Sequence, residues 1–289
     1  MKAVVLNVSA WMLLPFMDGL AKYISQEIHF LQVVWGRYFF MAIFSLFITF
    51  FFFNKHFVFP KAIKIQIFRS VFLFLSTVFF FYAISIISLA EALTLSFISP
   101  IVATILSFII LKEKVGPRRW IAVVLGFVGV LLVIRPGFNE INLATVAAIG
   151  AGICYGFYLI GTRKLSSIDN PLLTLIFTGL SGAIVISLIV PFYWTALTIN
   201  EWLILISLAS IGTLAHLLLI LSLNFAEASK LAPLGYSEII MNVIIGYYFF
   251  GDFPDQWIWL GLLIIIASGV YISLREHNKK NNYINHRYD

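Results

Sequence analysis

The chain has 289 residues, of which 61% are hydrophobic and only 11% are charged. Soluble globular domains carry about 25% charged residues, so this composition excludes an ordinary soluble protein and indicates that lipid surrounds most of the chain. The net charge of +6 is compatible with binding to nucleic acid or to an anionic membrane surface. The positions of the cations in the sequence decide between these two partners.

Long apolar stretches, separated by short polar connections, follow one another from the first residues to about residue 274. A helix rises 1.5 Å per residue and needs ~20 residues to cross ~30 Å of hydrocarbon, so each stretch predicts a transmembrane helix. The expected fold class is an all-α integral membrane protein with ten transmembrane helices. The predicted spans are 3–23, 31–53, 67–88, 92–111, 119–135, 143–162, 172–192, 202–223, 231–250 and 257–274.

The cations are distributed unequally between the two membrane surfaces. Sixteen of the 19 Lys and Arg residues fall on the side that holds both termini, whereas Lys22 and Arg135 fall on the other side and Arg37 lies inside the second span. Because cytoplasmic loops are rich in Lys and Arg, both termini are expected in the cytoplasm. The basic charge then contacts anionic lipid, and no nucleic acid is expected. The sixteen are Lys2, Lys55, Lys61, Lys64, Arg69, Lys112, Lys114, Arg118, Arg119, Arg163, Lys164, Lys230, Arg275, Lys279, Lys280 and Arg287.

The two halves of the sequence repeat one another. Leu89-Ala-Glu-Ala-Leu-Thr-Leu95 recurs as Phe225-Ala-Glu-Ala-Ser-Lys-Leu231, and Trp120 and Trp259 open the spans that follow. Each predicted unit holds an odd number of helices, so the two units enter the membrane from opposite sides. Inverted repeats of this kind are typical of secondary transporters. The predicted units are residues 1–136 (spans one to five) and 137–276 (spans six to ten), followed by a cytoplasmic tail, 277–289.

Short motifs in the first half carry a family resemblance. Ala90-Glu-Ala92, Leu111-Lys-Glu-Lys114 and Gly126-Phe-Val-Gly129, with Pro100 and Trp120, resemble the EamA-type branch of the drug/metabolite transporter (DMT) superfamily. The resemblance implies ten helices in two inverted five-helix repeats around a central cavity. It also implies a secondary transporter of the bacterial inner membrane, which moves a small organic metabolite by alternating access.

The second half narrows the expected solute. The segment from Ala232 to Asp255 resembles family members that take up riboflavin or S-adenosylmethionine. Riboflavin uptake is the first expectation, with S-adenosylmethionine uptake and efflux of amino acids or other metabolites as alternatives. The expected partners are the solute and the lipid bilayer, and the chain is expected to be a monomer or a homodimer.

An enzyme or a membrane scaffold is the alternative of a different class. None of the HExxH, GxSxG, P-loop or strand-to-helix GxGxxG patterns occurs in the sequence, so no catalytic residue and no cofactor are expected. The single cysteine, Cys154, excludes an intramolecular disulfide and a cysteine-rich metal site. Without a nucleotide-binding motif, secondary transport is favoured over pumping driven by ATP.

Polar side chains inside the spans are the candidate substrate-binding residues, because a charge at a helix centre costs ~2.5–3.5 kcal/mol on insertion into lipid. Glu238 is the first candidate, for binding of substrate or a proton, and a structural pair with a neighbouring helix is its alternative role. Asn242 follows one helical turn later on the same face.

Two further charges lie within predicted spans. Arg37 needs a carboxylate, a substrate anion or a route to the membrane surface. Asp18 is expected to pair with Lys22, four residues later on the same helix face, or else to face the cavity.

Titratable and aromatic side chains complete the set. His216 could accept a proton during transport or form a packing hydrogen bond. Tyr82, Tyr155, Tyr158 and Tyr236 could stack on a planar ring and offer a hydroxyl group, or they could be packing residues of an aromatic-rich chain.

Overall fold

The computed structural model describes residues 2–52, 60–110, 112, 116–134, 142–165, 168–223, 225, 234–235 and 237–267. The ordered elements in these ranges are all helical. Seven helical stretches are long and apolar enough to cross a membrane, and the same ranges contain three shorter apolar helices, Val124–Val133, Ser237–Phe250 and Gln256–Ala267. The chain is therefore a multi-pass helical membrane protein.

The helices keep the order of the predicted spans. A π-helical turn, Ile48–Phe52, continues the second helix, and a 3-10 turn, Val190–Tyr193, follows the eighth. The helices in the described ranges are α1 (Lys2–Ile24), α2 (Phe30–Phe47), α3 (Ile63–Ile84), α4 (Leu89–Ser96), α5 (Ser99–Ile110), α6 (Pro117–Ile134), α7 (Leu143–Leu165), α8 (Pro171–Ile189), α9 (Ile199–Leu223), α10 (Ser237–Phe250) and α11 (Gln256–Ala267).

Five predicted spans agree with the structure to within three residues: 3–23 with α1, 119–135 with α6, 143–162 with α7, 172–192 with α8 and 202–223 with α9. The third span differs more. The sequence predicts it at 67–88, whereas α3 runs from Ile63 to Ile84, so Arg69 lies in the second turn of the helix, where it is buried.

The predicted fourth span, 92–111, is interrupted in the structure. Helix α4 ends at Ser96 and α5 begins at Ser99, with Pro100 in the first turn of α5. Proline has no backbone N–H to continue the hydrogen bonds of a preceding helix, but its fixed φ suits the start of a new one. The break therefore has a local cause in the sequence.

Polar side chains cap the N-termini of helices. The Ser88 hydroxyl accepts a hydrogen bond from the Glu91 N–H (3.2 Å) at the start of α4. The Asn170 side chain accepts one from the Leu172 N–H (3.0 Å) at the start of α8. These caps satisfy backbone donors that have no partner in the first helical turn, and they fix where each helix starts.

The core of the bundle is built from pairs of helices. Helix α1 packs along α9, α3 along α7 and α2 along α8, while α10 packs against α1 and α4. Small residues allow the close approach: Gly179 faces the backbone of Ala42, and Gly19 faces the Ile245 side chain. Close backbone contact of this kind is the usual way in which membrane helices associate, because lipid gives them no hydrophobic drive to do so.

Gly152 of α7 provides a test of this packing. A Cβ atom there would lie 2.5 Å from the Ser96 carbonyl oxygen and 2.6 Å from Ile98 Cγ2, at the break between α4 and α5. We expect Gly152→Ala to lower the free energy of unfolding by about 1–3 kcal/mol, because this backbone has no free space to move into. Thermal loss of the monodisperse peak in size-exclusion chromatography measures the effect in detergent.

Gly116→Ala is the matched control, because a Cβ atom at Gly116 would have no neighbour within 4 Å among the described residues. Its midpoint should stay at the wild-type value. Equal midpoints for the two variants would contradict the contact between α7 and the α4–α5 break.

Candidate functional site

A cavity lies in the middle of the bundle, where α1, α2, α3, α4, α7, α9 and α10 meet. It contains about 740 Å³ of free space, including its mouth, and most of its wall is apolar. A few polar groups on an apolar wall are typical of small-molecule sites. Five of the candidate residues line this cavity together, and they are Asp18, Arg37, Tyr155, His216 and Glu238.

The two acidic residues reach the cavity from neighbouring helices. Asp18 comes from α1 and Glu238 from the first turn of α10, and their exposed fractions are only 4% and 8%. Within the described residues neither carboxyl group forms a salt bridge. The cavity therefore presents two acceptor groups whose charge the described protein residues do not neutralise by direct pairing.

Lys22 is not the partner of Asp18, and the predicted helical pair is wrong. Its ammonium group lies 3.1 Å from Asp252 Oδ2 and donates to the Ile87 carbonyl oxygen at 2.8 Å. The same group lies 5.3 Å from the centre of the Phe250 ring. The long Lys22 side chain reaches the connection after α10 at the end of the bundle, so Asp18 is left to face the cavity.

Arg37 of α2 is buried within the bundle, with an exposed fraction of 8%. Its Nη2 lies 3.4 Å from His216 Nε2, and the guanidinium carbon lies over the rings of Tyr38 (5.7 Å) and Phe81 (5.3 Å). Within the described residues no carboxylate forms a salt bridge with Arg37. Because a guanidinium can only donate, His216 Nε2 must accept in this contact, which assigns the imidazole proton to Nδ1.

The tyrosine candidates separate into different positions. Tyr155 lines the cavity, and its ring centre lies 5.2 Å from that of Tyr158, which is not part of the lining. Tyr82 packs against Phe30 at 5.3 Å and is not part of the lining. Tyr236 lies outside the residues that the structure describes.

Asn242 is fully buried in α10 and does not line the cavity. Its Nδ2 donates to the Glu238 carbonyl oxygen at 3.3 Å, while its Oδ1 has no hydrogen-bond partner among the described residues. Glu238 and Asn242 lie one turn apart on α10, and the Asn242 amide contacts the helix backbone instead of the cavity.

Arg69 is a buried residue that the sequence placed among the cations of the membrane surface. Its exposed fraction is 2%. Nε donates to Thr162 Oγ1 (2.9 Å), and Nη1 donates to the Thr174 carbonyl oxygen and Thr178 Oγ1 (3.2 Å each). The guanidinium also lies 4.8 Å from the centre of the Tyr158 ring. Thr162 and Thr178, which lie inside the apolar stretches of α7 and α8, were the features of the sequence that could have indicated partners for a buried arginine.

Several neutral polar residues of the lining were also absent from the predicted set. Ser76 and Thr77 of α3 and Ser96 and Ser99 at the α4–α5 break all face the cavity. Hydroxyl groups are common in membrane helices, so their presence alone did not single them out. Within the described ranges, no group of three His, Cys, Asp or Glu residues is arranged to hold a metal ion.

Comparison with known proteins identifies the family of this chain. The sequence model of the EamA-like transporter family matches this chain twice, over residues 2–135 and 142–274. The chain belongs to this family. A solved crystal structure superposes on this EamA-family protein with a TM-score of 0.66, covering 96% of this chain and 98% of that one. The identity between them is 14%, so this likeness concerns the fold alone.

Relatives of this EamA-family protein are named as transporters. The S-adenosylmethionine uptake transporter of Rickettsia bellii is 27% identical over 260 residues, which cover 90% of this chain and 89% of the relative. The riboflavin transporter of Vibrio cholerae is 31% identical over 194 residues, covering 65% and 64%. An uncharacterized transporter of Helicobacter pylori is 33% identical over 206 residues, covering 68% of each chain.

The salt bridge of Lys22 gives a stability prediction for this EamA-family protein. The exposed fractions of the Lys22 and Asp252 side chains are 10% and 33%, so Asp252→Asn would leave a largely buried ammonium group without its carboxylate. We expect the free energy of unfolding to fall by about 1–2 kcal/mol, less than for a fully buried pair because Asp252 is partly solvated. Thermal unfolding in detergent measures this change.

Glu27→Gln is the matched control, because Glu27 is exposed in the connection after α1, at the same end of the bundle. It removes one carboxylate charge without unpairing a buried cation. An Asp252→Asn midpoint equal to that of Glu27→Gln would show that the salt bridge contributes nothing to stability.

Proposed function

We propose that this EamA-family transporter takes up S-adenosylmethionine as a secondary transporter. The observation that carries the proposal is the set of charged groups in the cavity, where Asp18 and Glu238 provide two carboxyl groups and Arg37 one guanidinium. S-adenosylmethionine carries two cationic groups, a sulfonium and an ammonium, and one carboxylate. With both cavity carboxyl groups ionised, each charge of the solute meets a group of opposite sign.

The aromatic and hydroxyl side chains of the cavity wall suit the adenosine part of S-adenosylmethionine. Trp11, Phe80, Phe97 and Tyr155 line the cavity and offer aromatic faces for the adenine ring. Serine and threonine hydroxyl groups on α3 and at the α4–α5 break offer hydrogen bonds for the ribose. Relatives from Rickettsia bellii and Rickettsia prowazekii, named S-adenosylmethionine uptake transporters, match along about nine-tenths of their length, at 89% and 94%.

Riboflavin is the second candidate solute. The similarity to the riboflavin transporter of Vibrio cholerae and the aromatic lining favour it, because an isoalloxazine ring can stack on such side chains. Riboflavin was the first expectation from the sequence alone. It carries no formal charge near neutral pH, however, so the three charged groups of the cavity would find no counter-charge on it, and desolvating them would be costly.

Alternating access between two inverted repeats, 1–136 and 137–276, is part of the proposal. The double family match, over 2–135 and 142–274, supports it. The helix packing also supports it. In two repeats, α1 would correspond to α7, α2 to α8 and α3 to α9. The twofold operation would then convert the α1–α9 pair into the α3–α7 pair and leave the α2–α8 pair unchanged, and all three pairs are present. The basic residues support an orientation with both termini in the cytoplasm of a bacterial cell.

Uptake into proteoliposomes tests the solute. We expect vesicles with the purified protein to accumulate labelled S-adenosylmethionine, and excess unlabelled riboflavin to leave this uptake unchanged. Asp18→Asn and Glu238→Gln should each lower uptake about tenfold or more, because each removes a charge that the cationic solute would meet, and tenfold corresponds to ~1.4 kcal/mol.

Glu27→Gln, which changes an exposed carboxylate away from the cavity, should transport at the wild-type rate. Accumulation of riboflavin instead of S-adenosylmethionine would replace the first candidate by the second. If folded protein accumulated neither solute, both uptake proposals would fail. Release of labelled amino acids from preloaded vesicles would then test the efflux alternative.

A further inference from the structure

Arg37 has hydrogen-bonding capacity that the described protein does not use. A guanidinium carries five N–H donors. The acceptor seen for it among the described residues is His216 Nε2, at the long distance of 3.4 Å. The side chain is more than nine-tenths buried and lines the cavity. Its remaining donors are therefore available to a molecule inside the cavity.

Arg69 is a second buried arginine of the same bundle, and it serves as a comparison for Arg37. Its donors meet the Thr162 and Thr178 hydroxyls and a backbone carbonyl at 2.9–3.2 Å, and it does not line the cavity. Both arginines lie over aromatic rings, so cation–π contact does not distinguish them. They differ in that protein oxygens satisfy Arg69, whereas Arg37 contacts one nitrogen acceptor and faces the cavity.

A buried guanidinium that forms no salt bridge among the described residues is costly in a membrane-embedded bundle. A planar guanidinium matches a carboxylate through two parallel hydrogen bonds. One N–H of Arg37 Nη2 donates to His216 Nε2, and this contact restricts the orientation of the guanidinium. The group that would best complete this arrangement is a carboxylate of the transported molecule.

We propose that Arg37 is the specificity-determining residue that binds the carboxylate of the solute, so that the cavity selects solutes with charges of both signs. This inference rests on the proposed function. The cationic groups of the solute meet Asp18 and Glu238, while its carboxylate meets Arg37. A solute without a carboxylate leaves the guanidinium desolvated and unpaired. The free-energy cost of that unpaired charge is larger than the net contribution of one hydrogen bond, so the solute is rejected.

Competition between S-adenosylmethionine and its decarboxylated analogue tests this inference. The analogue keeps the sulfonium, the ammonium and the adenosine and lacks only the carboxylate. Each compound is titrated against uptake of labelled S-adenosylmethionine in proteoliposomes, and the ratio of the half-inhibitory concentrations is measured. The wild type should prefer S-adenosylmethionine roughly a hundredfold or more.

Arg37→Gln should reduce this preference to below about tenfold, because the variant has no charge to pair with the carboxylate and no cation to repel the analogue. Arg37→Lys should give an intermediate ratio, since lysine keeps the charge but not the two parallel hydrogen bonds. Where uptake by a variant is too weak to follow, quenching of the intrinsic tryptophan fluorescence in detergent gives the same ratio from binding. Monodispersity in detergent checks that each variant is folded.

Thr162→Val is the control. It removes an acceptor from Arg69, and the solute preference should stay at the wild-type ratio even if stability falls. The inference is overturned if the wild type accepts the two compounds equally, or if folded Arg37→Gln keeps the wild-type preference. If the wild type binds no S-adenosylmethionine at all, the proposed function fails, and the inference fails with it.

Discussion

Inside a bundle surrounded by lipid, each polar group must find its partner within the protein or within a cavity. Arg69 meets this constraint with threonine oxygens from α7 and α8. Lys22 meets it with Asp252 and a backbone carbonyl. Asp18 and Glu238 do not meet it by direct pairing within the described residues, and both line one cavity. The distribution of satisfied and unsatisfied charges therefore separates structural sites from the candidate binding site.

The same constraint acts on the backbone. A break in a membrane helix exposes carbonyl and N–H groups, and such breaks are tolerated where the backbone faces protein or a cavity instead of lipid. The break between α4 and α5 meets this condition, because Ser96 and Ser99 line the cavity and Gly152 of α7 packs against the Ser96 carbonyl. The Ser96 hydroxyl also donates to the Ala148 carbonyl (3.0 Å), which ties the break to α7. The irregular backbone at this break therefore lies in the cavity wall.

The helices were largely predictable, because span length and hydropathy are local properties: the bounds of α1, α7 and α9 follow from composition alone. The rule that polar groups are rare in apolar spans also found Asp18, Arg37, His216 and Glu238, which share the cavity. Pairing could not be predicted, since the partner of Lys22 is about 230 residues away in sequence, and spacing along α1 suggested Asp18 instead. Aromatic residues were a weak signal, because tyrosines occur both in the lining and in the packing around it.

Helices α1 and α10 are connected at two levels, and this links the cavity to one end of the bundle. At the level of the cavity they contribute Asp18 and Glu238. One helical turn further along α1, Lys22 forms its salt bridge to Asp252, directly after α10. A movement that separated these two helices would break the salt bridge and change the spacing of the two cavity carboxyl groups together. Because a rigid helix transmits displacement along its length, opening at that end and a change in the proposed binding site would be two consequences of one motion, which the proposed alternating access requires.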